Sequence, residues 1–100
     1  MDITVTELKT KLDNKEDFLF IDGREEHEYE EFNIGARLIP MGSIQEKLPE
    51  LEPHKDKEIV VHCRSGQRSG MIQRFLQSQG FNHVRNLTGG VLAWQEEFGA

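Results

Sequence analysis

The chain has 100 residues, of which 36% are hydrophobic and 30% are charged, and its formal net charge is −6. This length suits one domain over residues 1–100, and the negative charge argues against nucleic-acid binding, because phosphate contacts need a basic surface. No run approaches the ~20 consecutive apolar residues of a membrane-spanning helix, and the start lacks the basic flank and apolar run of a signal peptide, so we expect no membrane contact.

The first elements are a short helix and a buried strand. Leu8 and Leu12 share one helical face, and Thr6 is the predicted residue that caps the helix. The continuous apolar run over residues 18–21 predicts a strand buried on both faces, which ends at Asp22-Gly23. The acidic segment 25–31 predicts a short helix.

The middle of the chain predicts two strands around a helix. Leu38-Ile39 before a proline indicates a short strand. Ser43 to Glu46 has the spacing of a capping box, so we expect a helix to begin there and Pro49 to end it. The segment 58–62 carries three β-branched residues in sequence and is the clearest predicted strand.

The last third predicts two helices around a strand. Met71, Ile72, Phe75 and Leu76 share a helical face, and Gly80 should follow that helix in the left-handed conformation, with the next residue, Phe81, packed back on the helix. Residues 83–87 form the last predicted strand, and Thr88-Gly89-Gly90 leads into a helix that carries Val91, Trp94 and Phe98. Alternating strands and helices predict an α/β domain with a parallel sheet covered on both faces.

Ligands of such sheets bind beyond the carboxyl ends of the strands, where Cys63 follows its predicted strand. The residues after Cys63 lead into a helix whose N-terminus carries partial positive charge, and Arg64 and Arg68 add two cations. Gly66 permits a tight loop whose N–H groups converge. These features predict a lowered thiol pKa and a nucleophilic thiolate.

Two chemistries use a thiolate placed in this way. The His-Cys-x₅-Arg signature of tyrosine phosphatases needs an arginine at position 69, which is Ser69 here, so the loop is one residue short for a tetrahedral oxyanion. Sulfur transfer needs room for one terminal sulfur only. Backbone N–H groups and arginines then stabilise the negative charge of a cysteine persulfide.

The segment Cys63 to Ser69 closely resembles the active-site loop of the rhodanese family. Further segments resemble that family in the same order along the chain: Asp22-Gly23-Arg24-Glu25, His27-Glu28-Tyr29, Ile34-Gly35-Ala36 with Ile39-Pro40, and Leu87 to Trp94. The resemblance implies a rhodanese-like five-stranded parallel sheet with helices on both faces. Gly23 departs from the usual valine, and Phe32-Asn33 replaces the common Gly-His, so the donor or acceptor preference does not follow from the resemblance.

The resemblance also implies a thiosulfate sulfurtransferase without cofactors. Cys63 is the expected catalytic residue and persulfide carrier. The predicted donor-binding residues are Arg64, Ser65, Gly66, Gln67, Arg68 and Ser69, with Ser69 also capping the helix. Asp22 and Arg24 are expected to be structural residues near the site.

The expected partners are a small anionic sulfur donor such as thiosulfate and an acceptor that is cyanide or a thiol, with thioredoxin and a sulfur-carrier protein as open alternatives. With one cysteine, the chain forms no internal disulfide, and we expect a cytoplasmic protein. No histidine has ligand spacing with Cys63, so no metal site is expected, and His62 should point to the opposite face of the strand.

Two alternatives remain open at this point. A cysteine-dependent phosphatase or arsenate reductase would use the same thiolate, although the loop length argues against it. A non-catalytic binding module on the same fold would not need the intact Cys63 loop.

Overall fold

The computed structural model describes residues 2–99 as five helices and four strands, with two short 3₁₀ turns. In chain order the helices and strands are α1 (Val5–Asp13), β1 (Leu19–Asp22), α2 (Glu26–Glu31), β2 (Arg37–Leu38), α3 (Leu48–Leu51), β3 (Ile59–His62), α4 (Gln67–Ser78), β4 (Val84–Asn86) and α5 (Gly90–Phe98). None of these helices combines the length and apolar character needed to cross a membrane.

The sheet is parallel and has the order β2-β1-β3-β4. The described residues therefore form four strands, where the family resemblance implied five. Beside β4, Ile3 pairs with Leu87 in an isolated parallel bridge.

Two apolar clusters cover the two faces of the sheet. On one face, Ile59 and Val61 of β3 pack with Ile72 and Leu76 of α4. On the other face, Val60 packs with residues of α1, the bridge and α5 (Leu8, Ile3, Leu87 and Trp94). The alternation along β3 explains why this strand is buried throughout. In β1, for which burial on both faces was predicted, Ile21 and Asp22 are buried, but Leu19 and Phe20 are only partly buried.

Two predicted helix starts are wrong. Thr4, not Thr6, caps α1, because Glu7 completes a reciprocal capping box with Thr4. The capping-box spacing at Ser43 does not start a helix. A 3₁₀ turn covers Met41–Ser43, and Pro49 lies in the first turn of α3, where its missing N–H costs no hydrogen bond.

The predicted end of α4, with a left-handed Gly80 and Phe81 packed back on the helix, is confirmed. Gly80 has a φ of 92°, and Phe81 N–H donates to the Leu76 carbonyl over 3.0 Å. Phe81 is buried in the same cluster as Leu76. Met71 was expected on the buried face of this helix, but its side chain is 47% exposed.

Gly23 directly follows β1 at the carboxyl edge of the sheet. A side chain at this position would collide with Cδ1 of Ile72, which fills the space above the glycine. The Ile72 side chain on α4 therefore occupies the space that a valine at position 23 would need. The register of β1 and β3 pairs Asp22 with His62, so Gly23 and Cys63 leave the sheet side by side.

Candidate active site at the carboxyl edge of the sheet

Cys63 lies between β3 and α4, at the base of the loop that starts α4. The residue is only 1% exposed. Gly66 caps α4 in the left-handed conformation with a φ of 108°, and its N–H donates to Cys63 Sγ over 3.1 Å. The glycine that was expected to curl the loop thus brings a backbone donor to the sulfur.

Several donors converge on this sulfur. Burial raises the pKa of the Cys63 thiol, but hydrogen bonds from the hydroxyl and amide of Ser69 and from the amides of Gly66 and Ser65 outweigh it. The net result is a pKa below the ordinary value. Since the thiolate is the reactive form of cysteine, the loop favours nucleophilic chemistry.

Ser69 is fully buried and connects the sulfur to the last strand. Its Oγ lies 3.3 Å from Cys63 Sγ and 2.6 Å from Asn86 Oδ1 of β4. A hydroxyl has one proton, so Ser69 donates to only one of these atoms at a time. The expected helix cap at Ser69 is wrong, because Gly66 occupies the cap position and Ser69 lies inside α4.

Asn86 holds the loop from below. Its Nδ2 donates to the Gly66 carbonyl over 3.1 Å, while its Oδ1 is the alternative acceptor, besides Cys63 Sγ, for the Ser69 hydroxyl. Asn86 was not among the predicted site residues. A lone asparagine at a strand end carries no signal of such a role.

The N-terminus of α5 also supports the loop. Val91 N–H donates to the Cys63 carbonyl over 3.0 Å, and Leu92 N–H donates to the Arg64 carbonyl over 3.1 Å. Gly90 has a φ of 58°, and a Cβ on it would lie 2.5 Å from both carbonyl oxygens. The paired glycines that open α5 therefore allow its backbone to approach the Cys63 loop.

The two arginines of the loop have different environments. Arg68 forms a two-point ion pair with Glu28 of α2, with Nη1–Oε1 and Nη2–Oε2 distances of 2.7 and 2.8 Å. Arg64 is exposed, and its guanidinium forms no ion pair or hydrogen bond within residues 2–99. Ser65 and Gln67 are also exposed, so their side chains lie at the outer surface of the loop.

Asp22 and Arg24 form a buried pair beside the site. Arg24 Nη2 donates to Asp22 Oδ2 over 2.8 Å and to the Phe32 carbonyl over 2.7 Å. The pair therefore ties the end of β1 to the residue that follows α2. Through this contact the pair holds the Phe32 carbonyl, at the start of the Phe32-Asn33 segment.

His62 is fully buried and lies against the Phe20 ring, with 5.3 Å between ring centroids. Its Nε2 has no hydrogen-bond partner within the described chain and lies 3.6 Å from Asp22 Oδ2. Burial lowers the pKa of this histidine, although the Asp22 charge opposes the effect. His62 is therefore a neutral residue of the core beside Cys63.

Two surface cavities of the described chain lie away from the Cys63 loop. The larger, of about 410 Å³, is bordered by Glu58, Gln77, Asn82, His83, Val84 and Arg85. The smaller, of about 100 Å³, is bordered by Asp17, Phe18, Leu19, His54 and Lys57. No cluster of three or more metal-ligating side chains occurs among residues 2–99.

Both the sequence and the fold of this chain are similar to those of known proteins. The model of the rhodanese-like domain family matches residues 4–97. The Bacillus subtilis protein YtwF is 42% identical over 97 residues, which cover 96% of this chain and 91% of YtwF. A sulfurtransferase of Allochromatium vinosum is 38% identical over 88 residues, covering 87% of this chain and 80% of the relative. The crystal structure of a rhodanese-like domain protein from Staphylococcus aureus superposes with a TM-score of 0.83 at 31% identity, over 94% of this chain and 91% of that one.

Proposed function

Because the chain belongs to the family of rhodanese-like domains, we propose that it is a sulfurtransferase that carries a sulfur atom as a persulfide on Cys63. The main support is the convergence of the loop amides and the Ser69 hydroxyl on Cys63 Sγ. Donors fixed in this way stabilise negative charge on sulfur without reorganising during the reaction. The sulfurtransferase name of a relative at 38% identity is consistent with this proposal.

In the first step the Cys63 thiolate attacks the outer sulfur of a donor such as thiosulfate. A new S–S bond forms on Cys63, the S–S bond of the donor breaks, and sulfite leaves with the electron pair. The product is the Cys63 persulfide anion. The amides of Ser65 and Gly66 then lie at the base of the group that carries the negative charge.

In the second step an acceptor removes the outer sulfur. Cyanide takes it as thiocyanate, whereas a thiol takes it as a new persulfide, and in both cases the Cys63 thiolate is regenerated. Thioredoxin and a sulfur-carrier protein are acceptors of the thiol class. Arg64, exposed at the outer side of the loop, is the residue that we assign to the anionic group of the donor.

The geometry gives less support to phosphate transfer. A phosphatase loop needs an arginine that reaches the oxyanion, but position 69 is a serine, and the Arg68 guanidinium points to Glu28. The loop residues that remain, apart from Arg64, supply only amides and a hydroxyl. A persulfide, with one terminal sulfur, fits this donor set better than a tetrahedral phosphate.

Intact-protein mass spectrometry after thiosulfate treatment tests the proposal. We expect a mass gain of one sulfur atom that cyanide or dithiothreitol reverses. Cys63 is the only cysteine in the chain, so the Cys63→Ala variant should show no gain. An aryl phosphate that is hydrolysed while thiosulfate and cyanide give no thiocyanate would favour the phosphatase, and a protein inert in both assays would favour the binding module.

A further inference from the structure

The Cys63 loop presents fewer free cations than its sequence implies. Nη1 and Nη2 of Arg68 each donate to a carboxylate oxygen of Glu28. The Arg68 side chain is 29% exposed and the Glu28 side chain is 19% exposed. A bidentate pair of this kind is among the stronger ion pairs in proteins. Arg64 is therefore the one loop arginine without an ion-pair partner within residues 2–99.

Glu28 is a permanent negative charge beside the site. The hydrogen bond from Arg68 lowers the pKa of Glu28 to about 2, despite partial burial, so the carboxylate is ionised throughout the physiological range. Glu28 Oε1 also accepts the Glu25 N–H over 3.0 Å, which fixes it in the first turn of α2. The hydrogen bond that Arg68 donates to Glu28 is the main cause of the raised pKa of Arg68, and the charges of Glu28, Cys63 and Glu25 also contribute. All four groups thus share one electrostatic environment.

The charges around the sulfur nearly cancel. With Cys63 ionised, Arg68 neutralised by Glu28 and Arg64 free, the loop has no net positive charge, and the Glu25 carboxylate adds a negative one. The whole protein is acidic as well, with a net charge of −6. A donor with two negative charges is therefore attracted much less than two free arginines would attract it.

We propose that Glu28 makes this site selective for sulfur donors with a single negative charge, the class to which the persulfides of thiols belong, over dianionic thiosulfate. This inference rests on the proposed function and narrows its donor. In the reaction, the Cys63 thiolate attacks the outer sulfur of the monoanion R–S–S⁻. The S–S bond of the donor breaks, R–S⁻ leaves with the electron pair, and Cys63 keeps the outer sulfur as its persulfide anion.

Two small donors that differ by one charge test the proposal. Thiosulfate has two negative charges, and methanethiosulfonate has one and transfers the same kind of sulfur atom. The measured quantity is kcat/KM for each donor with the unmodified chain, with Glu28→Gln, and with Glu30→Gln. Gln keeps the length of Glu28 and one acceptor oxygen for Arg68, while Glu30 is an exposed carboxylate on the same helix and serves as the charge control.

The ratio of the two kcat/KM values cancels any general change in thiol reactivity. We expect Glu28→Gln to raise the thiosulfate-to-thiosulfonate ratio about three- to tenfold, and Glu30→Gln to change it less than twofold, because an exposed charge is screened. A ratio that is unchanged in Glu28→Gln would overturn the proposal.

Ionic strength gives a second readout that needs no variant. Thiosulfate kcat/KM should stay level or rise as salt increases, because screening removes repulsion from the site. A steep fall with salt would mean that the dianion meets a positive site, which contradicts the proposal. If neither donor loads sulfur onto Cys63, the proposed function itself fails. If both donors load sulfur but Glu28→Gln leaves the ratio of their kcat/KM values unchanged, only the proposed donor selectivity fails.

Discussion

Gly90 is the position where a single methyl group should damage the Cys63 loop most. A Cβ on Gly90 would lie 2.5 Å from the carbonyl oxygens of Cys63 and Arg64, and both oxygens belong to the backbone, so no side-chain rotation relieves the contact. The left-handed φ of 58° adds strain for any residue other than glycine. The strain costs about 1–2 kcal/mol, and the overpacking about 1–3 kcal/mol more, so Gly90→Ala should lose about 2–5 kcal/mol of unfolding free energy.

Gly35 provides the matched control. Its φ of 96° is also left-handed, but a Cβ there would meet no atom within 4 Å. Gly35→Ala should therefore lose only the backbone strain of about 1–2 kcal/mol. Urea unfolding followed by the fluorescence of Trp94, the single tryptophan, measures both variants.

The functional consequence follows from the same contact. Moving the carbonyls of Cys63 and Arg64 away from α5 also moves the sulfur relative to the loop amides. We expect Gly90→Ala to load less sulfur from thiosulfate than Gly35→Ala at equal folded fraction. If the two variants lose equal stability and load sulfur equally, the packing of α5 against the loop does not position Cys63 for sulfur transfer.

Three further predictions concern the groups around the site. Ser69→Ala should raise the pKa of Cys63, since it removes a hydrogen bond to the thiolate, and a thiolate absorbance titration that gives an unchanged pKa would contradict this. Arg24→Met should lose about 3–5 kcal/mol in urea unfolding, because it leaves the Asp22 carboxylate buried without its cation, and a loss below about 1 kcal/mol would contradict it. The Glu28 pKa is about 2 in the folded chain against an ordinary 4.5, so its contribution to stability is complete above pH 4.5 and disappears as the pH falls towards 2. Glu28→Gln should therefore flatten the loss of stability across that range, as measured by unfolding at successive pH values.

The fold was largely predictable because the buried elements have strong local patterns. The apolar runs that became β1 and β3 and the helical face of α4 are each long enough to identify an element. Weak capping signals were less informative, since Thr4 and Thr6 are equally plausible caps until the partner Glu7 is considered. The number of strands could not be derived from periodicity, because the segment beside β4 makes only one pairing, at Ile3.

The site was predictable where its residues are close in sequence. Cys63 and Gly66 belong to one loop, and their relation follows from a strand that ends and a helix that begins. Contacts between distant segments gave no such signal. Glu28 and Arg68 are separated by 40 positions, and Asn86 and Ser69 by 17, so no local pattern indicates that they meet.

The expected sources of thiolate stabilisation do not contribute equally. Converging loop amides and two arginines were both expected to lower the pKa of Cys63, but Arg68 is neutralised by Glu28, and Arg64 is exposed to water. The hydrogen bonds that lower the pKa come from Ser69 and from the amides of Gly66 and Ser65. Hydrogen bonds act at contact distance, whereas the field of an exposed cation is screened by salt.

This difference leads to a measurable outcome. If the amides hold the thiolate, the pKa of Cys63 should change little between low salt and high salt. Arg64→Gln should also leave that pKa nearly unchanged while it weakens the binding of anionic donors. Thiolate absorbance titrations at two ionic strengths measure the first effect, and KM for methanethiosulfonate measures the second. A pKa that rises steeply with salt, or that rises in Arg64→Gln, would show that the arginines and not the amides are the main cause of the lowered Cys63 pKa. Only a long-range charge responds in that way.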